Sequence, residues 1–197
     1  MEGRGAQTAL LGPAGRFTYE QLYHFTNQVA NAFRALGLDR EQRVFLLLRD
    51  SPEFVASFLA AQRIGAIPVP VNTAAHPSGY EHYLRLTAPR LLVGDSEFLP
   101  VLERMLGESS LRCVLSVRGP GIRGAQSFEE IVSKQSEELD PVATHRDDSC
   151  HWWFTSGSTG ESKAAVQLIT GALDLKYAAG VVHSRPAQET PHQREGA

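Results

Sequence analysis

The sequence predicts an α/β fold, with a mostly parallel sheet flanked by helices. Three observations carry that prediction. Strand-like and helix-like segments alternate along the chain, the pattern of layered α/β folds. The run Arg43-Val44-Phe45-Leu46-Leu47-Leu48 is continuously apolar after its first residue, as suits a strand buried on both faces. The helical segments open on capping residues and then place apolar side chains at i, i+3 and i+4.

Taken in order, Thr18-Tyr19-Glu20-Gln21 is a capping box, with Thr18 as N-cap and Gln21 three residues on. The helix it opens carries Leu22, Phe25, Val29, Phe33 and Leu36 on one face, and Gly37 closes it in the left-handed conformation. After the apolar strand, Ser51-Pro52-Glu53 supplies an N-cap, a proline at the first helical position and an acid at the positive end of the dipole. Phe54, Val55, Phe58, Leu59 and Ile64 form that second helix's apolar face, and Gly65 ends it. Ile67-Pro68-Val69-Pro70-Val71 is extended, but two prolines remove ladder donors, which places it at a sheet edge or strand end.

A short helix over 80–86, a strand over 90–93, a helix over 97–106 and a strand over 111–117 follow. Gly119-Pro120-Gly121 and Gly124 make a loop. A helix over 128–139 turns Glu129, Glu130, Glu137 and Glu138 to solvent, and 140–148 reads as an exposed connector. The aromatic run 151–154 reads as a buried strand with Trp152 and Trp153 in the core, and 164–168 as a second strand, so the stretch between them is a hairpin connection. Residues 184–197 contain no large apolar side chain, and disorder is expected there. The division is therefore 1–168 for the folded part and 169–197 for a divergent segment with a disordered tail.

Bulk properties exclude several function classes. With 197 residues the chain can bury a real core. The 19 basic residues are scattered and outnumbered by 22 acidic ones, which argues against nucleic acid. Cys113 and Cys150 stand alone without metal spacing, so a reduced, cytoplasmic setting is expected. No apolar run reaches the length of about 18 residues that suggests a membrane span. His76 and His82 lack a cysteine partner or ligand spacing, and ordinary surface or turn roles are expected of the histidines, with no metal site.

The most specific stretch is Thr155-Ser156-Gly157-Ser158-Thr159-Gly160, with Lys163 soon after. Small residues let a backbone bend tightly and approach a ligand, and their N–H and hydroxyl groups can converge on an anion. A lysine adds a mobile positive charge. This is not a Walker loop: Gly157 and Gly160 are too close, and Ala164 follows the lysine where a magnesium-holding Ser or Thr is needed. A Ser/Gly surface turn with a solvated lysine is the plain alternative, but the ordered T-S-G-S-T-G-x-x-K after a bulky strand is much more specific.

The capped helix, the R-V-F-L-L-L strand, S-P-E-F, Gly65-Ala66-Ile67-Pro68-Val69-Pro70-Val71-Asn72-Thr73 and the loop come in a recognisable order. Together they resemble the N-terminal part of the acyl-adenylate-forming (AMP-binding) superfamily, and are most similar to benzoate–CoA ligases and related aromatic acid–CoA ligases. The likeness runs from about Met1 to Leu168. It implies an incomplete N-terminal subdomain of that fold, from an enzyme that activates a carboxylic acid with ATP and Mg²⁺ as an acyl adenylate and then passes the acyl group to coenzyme A.

Carried over by position, Thr155, Ser156, Gly157, Ser158, Thr159, Gly160 and Lys163 would hold the ATP phosphates. Fixed donors there stabilise the charge that gathers on leaving pyrophosphate, and removing one such donor typically costs about 3–4 kcal/mol. No catalytic residue is assigned in this chain: the magnesium-binding glutamate, the ribose-gripping aspartate and the catalytic lysine of the family have no counterpart. The resemblance implies family segments before and after those present here. Ser162 replaces the family's usual proline, Ala164 its glycine, and 166–170 lacks the histidines of the benzoate-ligase group. A second reading is therefore a truncated, catalytically dead pseudoenzyme or gene fragment that at most binds nucleotide weakly.

Overall fold

The structure, a computed structural model, describes residues 3–13, 15–106, 110–155 and 162–170. At its centre is a five-stranded sheet of β3 (Arg43–Leu47), β4 (Ile67–Pro70), β5 (Leu91–Asp95), β6 (Cys113–Val117) and β7 (Gln126–Ser127), in the order β4-β3-β5-β6-β7. All four pairings are parallel. The chain steps from β3 outward to β4 and then crosses back to β5 on β3's other side. This is the doubly wound order, whose switch point opens a crevice at the carboxyl ends of the strands.

Alternate residues of a strand face opposite sides of its sheet, and the two faces are buried by different partners. Val44, Leu46, Leu91, Val93, Leu115 and Val117 pack with helices α1 (Tyr19–Ala35), α2 (Pro52–Arg63) and α4 (Phe128–Val132). Phe45, Leu47, Val69 and Leu92 pack with α3 (Pro77–Thr87) and the 3₁₀ turn Leu99–Leu102. The uninterrupted apolar run in β3 is thus a strand with two dry faces, as expected.

The punctuation residues act as their chemistry requires. The Thr18 hydroxyl accepts from Gln21 N–H and the Gln21 side chain accepts from Thr18 N–H, completing the capping box. Gly37, at φ +78°, ends α1 while Leu38 N–H returns to Phe33 O at 3.0 Å. Ser51 caps α2 through Phe54 N–H. The two prolines of β4 sit on the sheet edge, as predicted. Ile67 and Val71 donate to Gln42 O and Leu46 O of the β3 side, so the alternate positions Pro68 and Pro70 are those that owe β3 no donor.

Three expectations need correction, and one element lies beyond them. The N-terminal hairpin pairs β1 (Thr8–Gly12) with β2 (Gly15–Thr18), where no strand was expected. The helix expected over 97–106 is a 3₁₀ turn, with Pro100 inside it. The helix expected over 80–86 is the longer α3, opened by His76 as N-cap and Pro77. The helix expected over 128–139 stops at Val132, and carbonyls further on, over 135–140, are bonded from α1. The amides of Gln28, Asn31 and Asn27 in α1 donate to Gln135, Ser136, Glu137 and Glu138 carbonyls, and Arg34 donates to Asp140.

That polar row turns 135–140 into a strap laid along α1, so Glu137 and Glu138 lie beyond any helix. The connector that follows is fastened too. Arg40 pairs with Asp148 at 2.6 Å and donates to Ala143 O, while Val142 N–H donates to Arg63 O. The tail expected from about 184 and the boundary at 168–169 lie outside or at the limit of the described residues. No helix among the described residues is long and apolar enough to cross a membrane.

Candidate phosphate-loop site

The site candidate is built on a second, separate sheet. β8 (Ser149–Thr155) pairs antiparallel with β9 (Lys163–Leu168), with Thr155 opposite Lys163 and Phe154 opposite Ala164. The hairpin predicted from sequence is therefore present. Its two described loop ends, Thr155 and Lys163, are brought side by side and are both exposed, with Thr155 Oγ1 donating to Lys163 O at 3.5 Å. Ser156, Gly157, Ser158, Thr159 and Gly160 lie outside the described residues.

β8 is not the buried strand the aromatic run suggested. Period-two alternation splits it between two half-wet surfaces. Trp152 and Phe154 pack against the core cluster beneath α3, with the Arg43 guanidinium 5.9 Å above the Trp152 ring. His151 and Trp153 turn toward Phe58 of α2, at ring separations of 5.4 and 6.4 Å, and Trp153 remains 44% exposed. Trp153 is thus no core residue. Burial without a hydrogen-bond partner for Nδ1 holds the His151 pKa below its ordinary value near 6.5.

The loop ends stand beside the carboxyl ends of β3 and β4. A cleft of about 740 Å³ is bounded there by Arg49, Asp50, Asn72, Tyr83, Phe154 and Thr155. This is where an open parallel sheet presents ligands. Several charges near that rim are paired within the chain. Asp95, at the end of β5 and 2% exposed, accepts from Arg49 N–H at 2.9 Å and pairs with the Arg118 guanidinium. Arg118 also reaches Glu53 at 3.0 Å, and Arg49 pairs with Glu97. Arg118 holds φ +61° to do so, a conformation that costs a non-glycine residue about 1–2 kcal/mol.

The exit of the loop is gripped by α3. His82 Nε2 lies 2.8 Å from Ser162 O, the Tyr83 hydroxyl 3.3 Å from Ser162 Oγ, and the Tyr83 ring stacks on Phe154 at 3.9 Å. Reasoning from sequence missed both residues as parts of the site: nothing in Tyr80-Glu81-His82-Tyr83-Leu84 signals it, since the partner is far away in the chain. His76 has a turn role, its Nδ1 lying within hydrogen-bond reach of Ser78 N and Oγ. Burial pushes the Tyr80 phenol pKa up, and its hydroxyl donates to Asn72 O at 2.9 Å.

The donor set at the hairpin is hydroxyls and one ammonium, which suits an anion. The described residues contain no group of three His, Cys, Asp or Glu side chains able to hold a metal ion.

Comparison with known proteins shows the family. The family model for AMP-binding enzymes matches residues 1–189. The chain belongs to the AMP-binding enzyme family. It is 34% identical over 183 residues to a 3-hydroxybenzoate–CoA/4-hydroxybenzoate–CoA ligase of Thauera aromatica, covering 89% of this chain and 35% of that protein. It is also 34% identical over 169 residues to the benzoate–CoA ligase of the same organism, covering 85% of this chain and 32% of the ligase. Among solved structures it resembles an anthranilate CoA ligase in complex with anthranoyl-AMP, with TM-score 0.83 and 34% identity over 86% of this chain and 33% of that one. The chain spans about a third of the length of the curated relatives it matches.

Proposed function

We propose that this chain is part of an ATP-dependent carboxylic acid–CoA ligase, acting on an aromatic acid such as benzoate, and that it supplies the grip on the ATP phosphates. The carrying observation is the β8–β9 hairpin, which sets Thr155 against Lys163 at the two ends of a Ser/Gly/Thr connection beside the carboxyl ends of a parallel sheet. In this reading Thr155, Ser156, Gly157, Ser158, Thr159 and Gly160 offer N–H and hydroxyl dipoles, and Lys163 offers charge, to the β- and γ-phosphates. As pyrophosphate leaves an activated carboxylate, those fixed donors neutralise its growing charge with little reorganisation. Magnesium, when bound with ATP, would add positive charge to the phosphates that Thr155, Ser156, Gly157, Ser158, Thr159, Gly160 and Lys163 would hold; coenzyme A would accept the acyl group in the second half-reaction.

The two Thauera aromatica ligases support the substrate class, since they are named for benzoate and hydroxybenzoates. The direct test is calorimetric titration of the chain with MgATP. Binding is expected, with Lys163→Ala weakening it about tenfold or more, the effect of losing one charge-assisted contact. Absence of binding, or indifference to Lys163→Ala, overturns the assignment. Activity is tested by joining residues 1–168 to the remaining two-thirds of an aromatic acid–CoA ligase. Acid-dependent ATP–pyrophosphate exchange is expected from the fusion and not from the 197-residue chain alone.

A further inference from the structure

A loop that must receive a polyphosphate has to leave its scaffold from two fixed points. The entry point here is Thr155, preceded by Phe154; the exit point is Lys163, preceded by Ser162. Serine has no ring to restrain its own backbone as a proline would, so any rigidity at the exit must come from contacts made to it. Both contacts come from one helix. Ser162 O accepts a hydrogen bond from His82 at 2.8 Å, and because a carbonyl can only accept, Nε2 carries the hydrogen. The Ser162 hydroxyl lies 3.3 Å from the Tyr83 hydroxyl.

Tyr83 also reaches the other stem. Its ring stacks on Phe154 at 3.9 Å with the planes 25° apart, so one side chain touches the residues that precede both loop ends. α3 itself is firmly rooted. Tyr80 and Leu84 are buried in the core cluster, the Tyr80 hydroxyl holds Asn72 O, and Thr87 Oγ1 donates to Tyr83 O at 2.7 Å. The contact is thus made between a core-anchored helix and the mouth of an otherwise half-exposed hairpin.

We propose that His82 and Tyr83 are positioning residues for phosphate binding, clamping Phe154 and Ser162 so that Lys163 leaves the hairpin at a fixed place. The inference rests on the phosphate-loop reading above. Its physical consequence is preorganisation: a ligand that finds Lys163 already placed does not spend binding energy on ordering the loop ends.

The test combines hydrogen–deuterium exchange across 149–168 with MgATP titration on the intact chain. His82→Ala and Tyr83→Leu are expected to speed exchange at 162–165 about tenfold, the loss of one or two hydrogen bonds' worth of protection, while β3 and β5 stay protected. The same variants should weaken MgATP about five- to tenfold. His82→Gln, which can still donate, should recover most of both effects. Lys163→Ala should weaken MgATP without changing exchange, and adding Tyr83→Leu to it should cost little more.

Unchanged exchange at 162–165 in His82→Ala and Tyr83→Leu would sink the clamp, whatever the nucleotide does. Faster exchange with undiminished MgATP affinity, against a clear loss in Lys163→Ala, would reduce the contacts to mere docking and overturn the positioning role. If the unaltered chain takes up no MgATP, the phosphate-loop reading falls and the positioning role with it. Exchange would then report only on how the hairpin is held.

Discussion

The parallel sheet and the β8–β9 hairpin are held by different kinds of force. In the sheet, Phe45, Leu46, Leu47 and Leu92 are wholly buried between two apolar layers. In the hairpin, Trp153, Val166 and Leu168 are 44%, 50% and 41% exposed. It is attached by Trp152 and Phe154, which pack on the core cluster beneath α3, and by a few directed contacts: His82 and Tyr83 to Ser162, and Gln62 to Cys150. Buried area holds the sheet on both faces, whereas the hairpin has area on one face and directed contacts at its mouth. Damage to the first should therefore be felt by the whole fold, and damage to the second mainly at the loop.

The sharpest way to break that contrast is Phe45→Ala, which empties the centre of the lower face. A loss of about 3–5 kcal/mol is expected by urea denaturation; a loss below about 1 kcal/mol would show that the sheet is not the stability core. Next is Gly94→Ala in β5. An added Cβ would stand 2.6 Å from Leu99 Cδ2, so overpacking of about 1–3 kcal/mol is expected. A neutral result would mean that the 3₁₀ turn shifts freely.

The hairpin should respond to pH where the sheet does not. Burial depresses the His151 pKa, so the unfolded chain binds that proton more readily. The contribution is present above about pH 6.5 and is lost as pH falls below it. Melting at pH 7.5 and 5.5 should show the loss, and His151→Gln should reduce the difference; an unreduced difference would assign the pH dependence elsewhere. The smallest effect is expected of Val166→Lys on the exposed face. Stability should move by no more than about 0.5 kcal/mol, while light scattering from the concentrated chain should fall as an apolar strand surface gains charge. A large destabilisation would show that this face is covered.

Much of the scaffold was legible because its signals are local. Thr18 and Gln21 satisfy each other's backbone within one turn, Ser51 and Pro52 start α2 without help, and Pro68 and Pro70 can sit only where no donor is owed. The same holds for the hairpin, where bulky residues, small residues and bulky residues follow in order. Two of the errors share one cause. The helix expected over 128–139 stops at Val132, and the segment after it is held by Asn27, Gln28 and Asn31, more than a hundred residues earlier, which bond the carbonyls of Gln135, Ser136, Glu137 and Glu138. Likewise the aromatic run of β8 does not disclose how much of it is covered, since cover depends on α2 and α3.

The sequence by itself determined the α/β class, the caps, the apolar central strand and the family to which the chain belongs. Each of these is written in contiguous residues whose chemistry leaves few conformations open. Only the tertiary structure decided the strand order, the strap along α1, the half-exposed state of Trp153 and the hold of His82 and Tyr83 on Ser162. Those are contacts between residues far apart in the chain, and what sets them is which surfaces the folded layers bring within hydrogen-bond or van der Waals reach.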